Sequence, residues 1–188
     1  MPRILMPIVP GFEETEAIAT IDILRRAGVE VITAGDGATE ITSAHNITMR
    51  TDIRWEDRDR KGPYDALILP GGPGTPRLND LPGLHGLART MEADGRLVAA
   101  ICAAPTVLAK AGVLSGRKAT CWPGSTADMG NVPLLEQPVV EDRRVITSRG
   151  VGTALDFALA IVAELVGQEK ADKIADSIVY HRVAVAAS

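Results

Sequence analysis

Short runs of consecutive apolar residues alternate along this chain with stretches in which apolar positions recur every three or four residues. RILMPIV (3–9), VEVITA (29–34), DALILP (65–70), LVAAI (97–101) and RVITS (144–148) are the runs, and each reads as a strand. They are continuous rather than alternating, as strands are when both faces of their sheet are covered. Helical periodicity predicts segments from GFEETE to about residue 27, stopped by Gly28, and over 84–94, 106–111 and 154–167. A last helix, packed and with a frayed end, is predicted over 169–180. Weaker strand signals fall at 46–49, 118–121 and 139–140, and PGGPGTP after DALIL reads as a turn. This alternation predicts an α/β protein: a doubly wound, mostly parallel sheet with helices on both faces. No repeat, low-complexity tract or linker divides the chain, so its 188 residues are expected to form one domain over 1–188.

Composition narrows the function more than the fold. Apolar residues make up 46% and charged residues 23%, enough for a core that needs neither metals nor disulfides. The net charge is −4 and the basic residues are scattered; the densest cluster, EDRDRK at 56–61, mixes both signs and reads as a solvated loop or helix face. With 3% aromatic residues there is no stacking platform for bases either, so a nucleic-acid partner is not expected. No apolar run approaches the roughly 18 residues of a membrane helix. The start, MPRILMPIVPGFEE, lacks the pattern of a secretory signal. Two cysteines, Cys102 and Cys121, make no disulfide framework, and the expectation is a cytoplasmic protein with both thiols reduced.

In an open α/β sheet, ligands sit beyond the carboxyl ends of the strands. Three stretches should meet at that edge: GFEETE, PGGPG and CAAPT. Cys102 falls where LVAAI gives way to a helix, the corner that a nucleophile elbow uses, with small Ala103 and Ala104 beside it. Free N–H groups and the dipole of the next helix predict an acidic, nucleophilic thiol. A free cysteine is also commonly a small buried hydrophobe, and position alone leaves both readings open. Glu13, Glu14 and Glu16 stand in the first turn of a helix, where acids are favoured by the dipole alone, yet one of them can face the thiol as a proton partner. Spacing does not say which. PGGPG can present N–H groups to an oxyanion, but it is no P-loop, and GVGTAL at 150–155 lacks a dinucleotide fingerprint, so no cofactor is expected. His45, His85 and His181 match no metal-ligand spacing, and no metal is expected.

Four blocks, GFEETEAIATIDILRRAGVEV, GPYDALILPGG, AAICAAPTVLAKAG and TSRGVGTALDFALAIVAELVG, together resemble the ThiJ/PfpI superfamily, in the branch of the Parkinsonism-associated redox protein often called a protein deglycase. The resemblance covers roughly residues 3 to 168. It implies a flavodoxin-like α/β/α sandwich, with Cys102 as the reactive elbow cysteine and Glu16 as the carboxyl contacting it. It further implies an oxyanion site made by the N–H groups of Gly72 and Ala103, beside Gly71. Arg26, Ser148 and Arg149 match positions near the pocket or the interface of a homodimer. Two positions depart from the pattern. Trp122 stands where some members place a histidine near the cysteine, and His45 stands where some carry a basic residue, which would make anion binding there depend on pH.

The activity this resemblance implies is a cofactor-free glyoxalase or deglycase acting on 2-oxoaldehydes such as methylglyoxal. Cys102 would form a hemithioacetal and Glu16 would move the proton that turns it into a 2-hydroxy acid. A second reading makes the protein an oxidative-stress sensor or redox-regulated chaperone, with Cys102 oxidised to a sulfinate that a protonated Glu16 stabilises. A third, peptidase or amidase activity, would need a base near Cys102 that CAAPTVLA does not supply.

Overall fold

The computed structural model describes residues 1–180. Its frame is a seven-stranded sheet. Strands β1 (Arg3–Ile8), β2 (Glu30–Gly35), β5 (Ile53–Arg54), β6 (Ala66–Leu69), β7 (Leu97–Ile101), β8 (Val139–Asp142) and β9 (Val145–Ser148) lie in the order β5-β2-β1-β6-β7-β9-β8. All neighbours are parallel except β8, which runs antiparallel to β9 at the edge. β3 (Glu40–Thr42) and β4 (Thr48–Arg50) pair separately as an antiparallel hairpin. The central order, β2-β1-β6-β7-β9, is the flavodoxin-like winding, and its switch point falls between β1 and β6.

Side-chain alternation on the strands separates two core layers. Ile4, Met6 and Ile8 of β1 and Leu97, Ala99 and Ile101 of β7 face one side. There they meet helices α1 (Glu14–Arg26), α5 (Ala154–Val166) and α6 (Gln168–Ser177). Leu5, Leu67 and Leu69, with Val98 and Ala100, face α2 (Thr75–Asp80), α3 (Leu84–Ala93) and α4 (Pro105–Lys110). Both sheet faces are thus covered, which is why the strands read as unbroken apolar runs. At the ends of α1, Glu14 and Glu16 stand in the first turn and Arg25 and Arg26 in the last, each complementing the helix dipole.

Several local expectations change. The stretch 118–121 forms no strand; only Ala119 makes an isolated bridge, to Leu134. PGGPGTP is not merely a turn: Thr75 opens α2, with Pro76 in the first turn, where a missing N–H costs nothing. EDRDRK keeps its expected place on a solvated helix face: all but Lys61 belongs to a 3₁₀ helix, Trp55–Arg60, whose Trp55 is buried under the Arg58 guanidinium. The last helix ends at Ser177 rather than Tyr180. Val179 turns left-handed (φ 57°), and the Tyr180 N–H donates back to Ala175 O, closing the helix. The expected fraying beyond residue 180 lies outside the described residues. Among those described, no helix is long and apolar enough to cross a membrane.

Candidate active site

β1, β6 and β7 deliver their following loops to one edge of the sheet, and Cys102 stands at the centre of what gathers there. It begins the turn between β7 and α4 with φ 64°, a left-handed conformation that is costly for a residue with a side chain. Hydrogen bonds on both sides fix it: its N–H donates to Ser148 O (3.0 Å), and its carbonyl accepts from the Trp122 N–H (2.8 Å). The result is a strained strand–turn–helix corner that presents the thiol toward a cavity, half-buried.

Glu16, in the first turn of α1, is the carboxyl that meets this thiol. The residue is completely buried. Its Oε2 accepts from the Gly71 N–H at 2.9 Å, while Oε1 is buried without a well-formed hydrogen bond. Burial is the main force on the carboxyl and holds its pKa up at about 7, against the pull of the Gly71 N–H and the Cys102 thiol.

The expectation of an acidic thiol is not met. Burial, and then the adjoining Glu16 carboxylate, push the Cys102 thiol up to about 12, with only the Ala103 and Gly72 N–H groups drawing it down. The helix that was to lower it has little to offer. Pro105 has no N–H, and those of Ala104, Thr106 and Val107 are engaged by Ile101 O, Ala103 O and Ala104 O. Thiol and carboxyl therefore act as one unit. While Glu16 is charged it opposes ionisation of the sulfur; once Glu16 takes a proton that opposition disappears.

The glycine pair is dictated by crowding. A Cβ on Gly71 would lie 2.7 Å from Cys102 Cβ and 2.8 Å from Ile101 O. Gly72 has φ 103°, and a Cβ there would fall 2.5 Å from the Glu13 N. Only glycine lets the β6 loop approach closely enough for the Gly72 N–H to act on the sulfur. In front of the thiol opens a cavity of about 710 Å³, bounded by α2, α4 and the 3₁₀ turn Pro123–Met129.

The model of the DJ-1/PfpI family matches residues 2–164. This chain belongs to the DJ-1/PfpI family. Protein dj-1beta of Drosophila melanogaster is 40% identical over 178 residues, covering 93% of this chain and 95% of that protein. A Caenorhabditis elegans protein named glutathione-independent glyoxalase DJR-1.2 is 39% identical over 164 residues, covering 86% of this chain and 87% of its own. The crystal structure of Drosophila DJ-1beta superimposes with a TM-score of 0.91 at 37% identity, over 96% of this chain and 99% of that one.

Within this DJ-1/PfpI chain, Cys102, Glu16, Gly71, Gly72, Ala103 and Trp122, the positions the family resemblance singles out, lie together. Ser148 lies behind the elbow rather than in the cavity. It is fully buried, donates through Oγ to Pro138 O (2.7 Å) and meets Thr153 Oγ1 at 2.7 Å. Arg149 does not line the cavity; its charge acts on Cys121, a buried thiol. Arg26 is exposed at the end of α1 and pairs with Asp22 at 2.7 Å. Sequence reasoning missed the outer cavity wall, Thr75, Pro76, Asn79 and Asp80, because it placed no helix there. It also missed that His45 Nδ1 lies 2.8 Å from Glu14 Oε1 and 3.9 Å from Glu13 Oε2. These three side chains come close enough to share a cation; the imidazole meets Glu14 Oε1, and Glu14 Oε2 is buried without a well-formed hydrogen bond. His45 is 31 residues from Glu14 in the chain, which no local ligand spacing reveals.

Proposed function

We propose that this chain is a cofactor-independent glyoxalase that converts 2-oxoaldehydes such as methylglyoxal to 2-hydroxy acids. The observation carrying the reading is the buried Glu16 carboxyl against the Cys102 thiol, with the Gly72 and Ala103 N–H groups on the same sulfur. A relative named as a glutathione-independent glyoxalase, at 39% identity, supports it.

Above pH about 7 the pair shares one proton. As the sulfur attacks the aldehyde carbon, that proton passes to Glu16 and on to the developing alkoxide, which the two amides stabilise. Glu16, again a carboxylate, takes the proton from the former aldehyde carbon and returns one to the neighbouring carbon. The adduct becomes the thioester of a 2-hydroxy acid, and water cleaves it, restoring the thiol. Aldehyde plus water gives the acid, with no external oxidant or reductant. The same thiol and first adduct serve removal of early glyoxal adducts from amino groups, a deglycase action that scavenging of free aldehyde would also produce. A homodimer accompanies this reading. Ile18 on α1, Ile47 in the β3–β4 turn and Leu155 on α5 are exposed apolar residues that a second copy would cover.

The test is lactate formation from methylglyoxal by the reduced protein, alongside Cys102→Ser and Glu16→Ala. Repeated turnover by the wild type, lost in both variants, is expected. Absence of lactate under reducing conditions overturns the glyoxalase reading and leaves oxidation of Cys102 as the chemistry to pursue.

A further inference from the structure

The cavity before Cys102 is much larger than a three-carbon aldehyde needs. Its volume of about 710 Å³ lies in the range of sites for ligands several times that size. Thr106 and Lys110, one turn apart on α4, both line it, so it extends about 6 Å along the helix past the elbow. Apolar residues, Pro73, Pro76, Ala103, Val151 and Trp122, make up much of its wall. Of its charged members, Glu13 stands at the start of α1 near Glu16, while Asp80, Lys110 and Asp128 come from the distal ends of the surrounding segments.

Trp122 is the feature that a small substrate leaves unexplained. The residue is 51% exposed, yet its indole is held in place. A Cβ on Gly150 would sit 3.9 Å from Cys102 Sγ and 4.0 Å from Trp122 Cδ1, so sulfur and ring flank the same point. The opposite edge of the ring lies on Gly124, where a Cβ would come within 2.1 Å of Cζ3. The main chain is tied too. The Trp122 N–H donates to Cys102 O at 2.8 Å, and its carbonyl accepts from Ser125 N–H at 2.9 Å. An aromatic ring is thus fixed to the elbow itself, beside the reacting atom and open to the cavity.

We infer that Trp122 determines specificity, and that the preferred substrates are 2-oxoaldehydes carrying an aryl group that packs on its indole. The inference rests on the glyoxalase reading and refines it. The substituent takes no part in bond making, so phenylglyoxal and water give mandelate by the same steps.

The test compares kcat/KM for phenylglyoxal and methylglyoxal in the wild type, Trp122→Ala and Gly124→Ala. The wild type should favour phenylglyoxal. Trp122→Ala should lower the preference about three- to tenfold, the scale of an aromatic pair. Gly124→Ala keeps the indole but displaces it, and should shift the ratio the same way. Binding provides a readout independent of turnover. By calorimetry, Cys102→Ser protein should bind mandelate more tightly than lactate, and adding Trp122→Ala should remove the difference. Turnover of both aldehydes with a ratio indifferent to Trp122 and Gly124, or equal binding of the two acids, overturns this inference alone. Turnover of neither aldehyde overturns the glyoxalase reading and the substrate assignment with it.

Discussion

At the residue scale, Glu16 spends binding energy on a poor environment for its own charge. Its folded pKa of about 7 lies well above the ordinary 4.5 because burial outweighs the Gly71 and Cys102 contacts. Between those two values the folded protein retains a proton that the unfolded chain has released, so this residue's contribution to stability falls as pH rises through the window. The loss amounts to about 3 kcal/mol by linkage. Glu16→Gln cannot ionise. Its unfolding free energy relative to wild type should therefore increase from pH 4.5 to 7.5 and level off above, as read by urea titration at several pH values. A difference that stays flat with pH would mean Glu16 is not the buried acid described. Activity should move the opposite way. The one-proton state of the Glu16–Cys102 pair forms as pH rises through about 7, so kcat/KM for methylglyoxal should climb to a plateau with an apparent pKa near that value. Glu16→Gln should abolish the climb along with the rate.

At the scale of elements, the glycines show which parts of the chain are held by proximity. Gly71→Ala would force a methyl against Cys102 Cβ and the Ile101 carbonyl, both parts of rigid structure. It should cost about 1–3 kcal/mol, as overpacking does, and slow alkylation of Cys102 by iodoacetamide, because the elbow must move. Gly86 inside α3 is the contrast: nothing lies within 4 Å of its would-be Cβ, so Gly86→Ala should stabilise by about 0.5–1 kcal/mol in a urea titration. This distinction also explains what could be read from the chain. β1, β2, β6, β7 and β9 were legible because burial on both faces leaves an unbroken apolar run. α2 was not, since its first turn is written in the same Gly, Pro and Thr that mark turns. The elbow was legible from the change of period at Cys102. The acidity of its thiol was misread, because whether the amides after a strand are free depends on hydrogen bonds that close only in the folded corner.

For the whole molecule, the sheet couples everything. The segments carrying Glu16, Gly71, Gly72 and Cys102 follow three strands whose switch point fixes where they meet, so the site's position follows from winding order more than from any local motif. Each of the central strands β1, β2, β6, β7 and β9 also sends side chains into both layers, so neither layer can lose its packing without disturbing the other. Ile161 of α5 and Leu84 of α3 are both fully buried, one in each layer. Replacing either with alanine should cost about 2–5 kcal/mol. If the chain folds as the one domain its length suggests, both variants should lower the midpoint of the same single unfolding transition. Since the two residues lie on opposite faces of the sheet, the double variant should lose the sum of the two costs to within about 0.5 kcal/mol. Circular dichroism and tryptophan fluorescence should trace coincident curves in all four proteins. Of the two tryptophans Trp55 is the buried one and lies in the α3 layer, while Trp122 is half exposed, so separate transitions would show as the buried-tryptophan fluorescence responding to Leu84→Ala but not to Ile161→Ala. That outcome would mean the layers fold independently, and the geometry of a site assembled from three strands would then depend on each of them in turn.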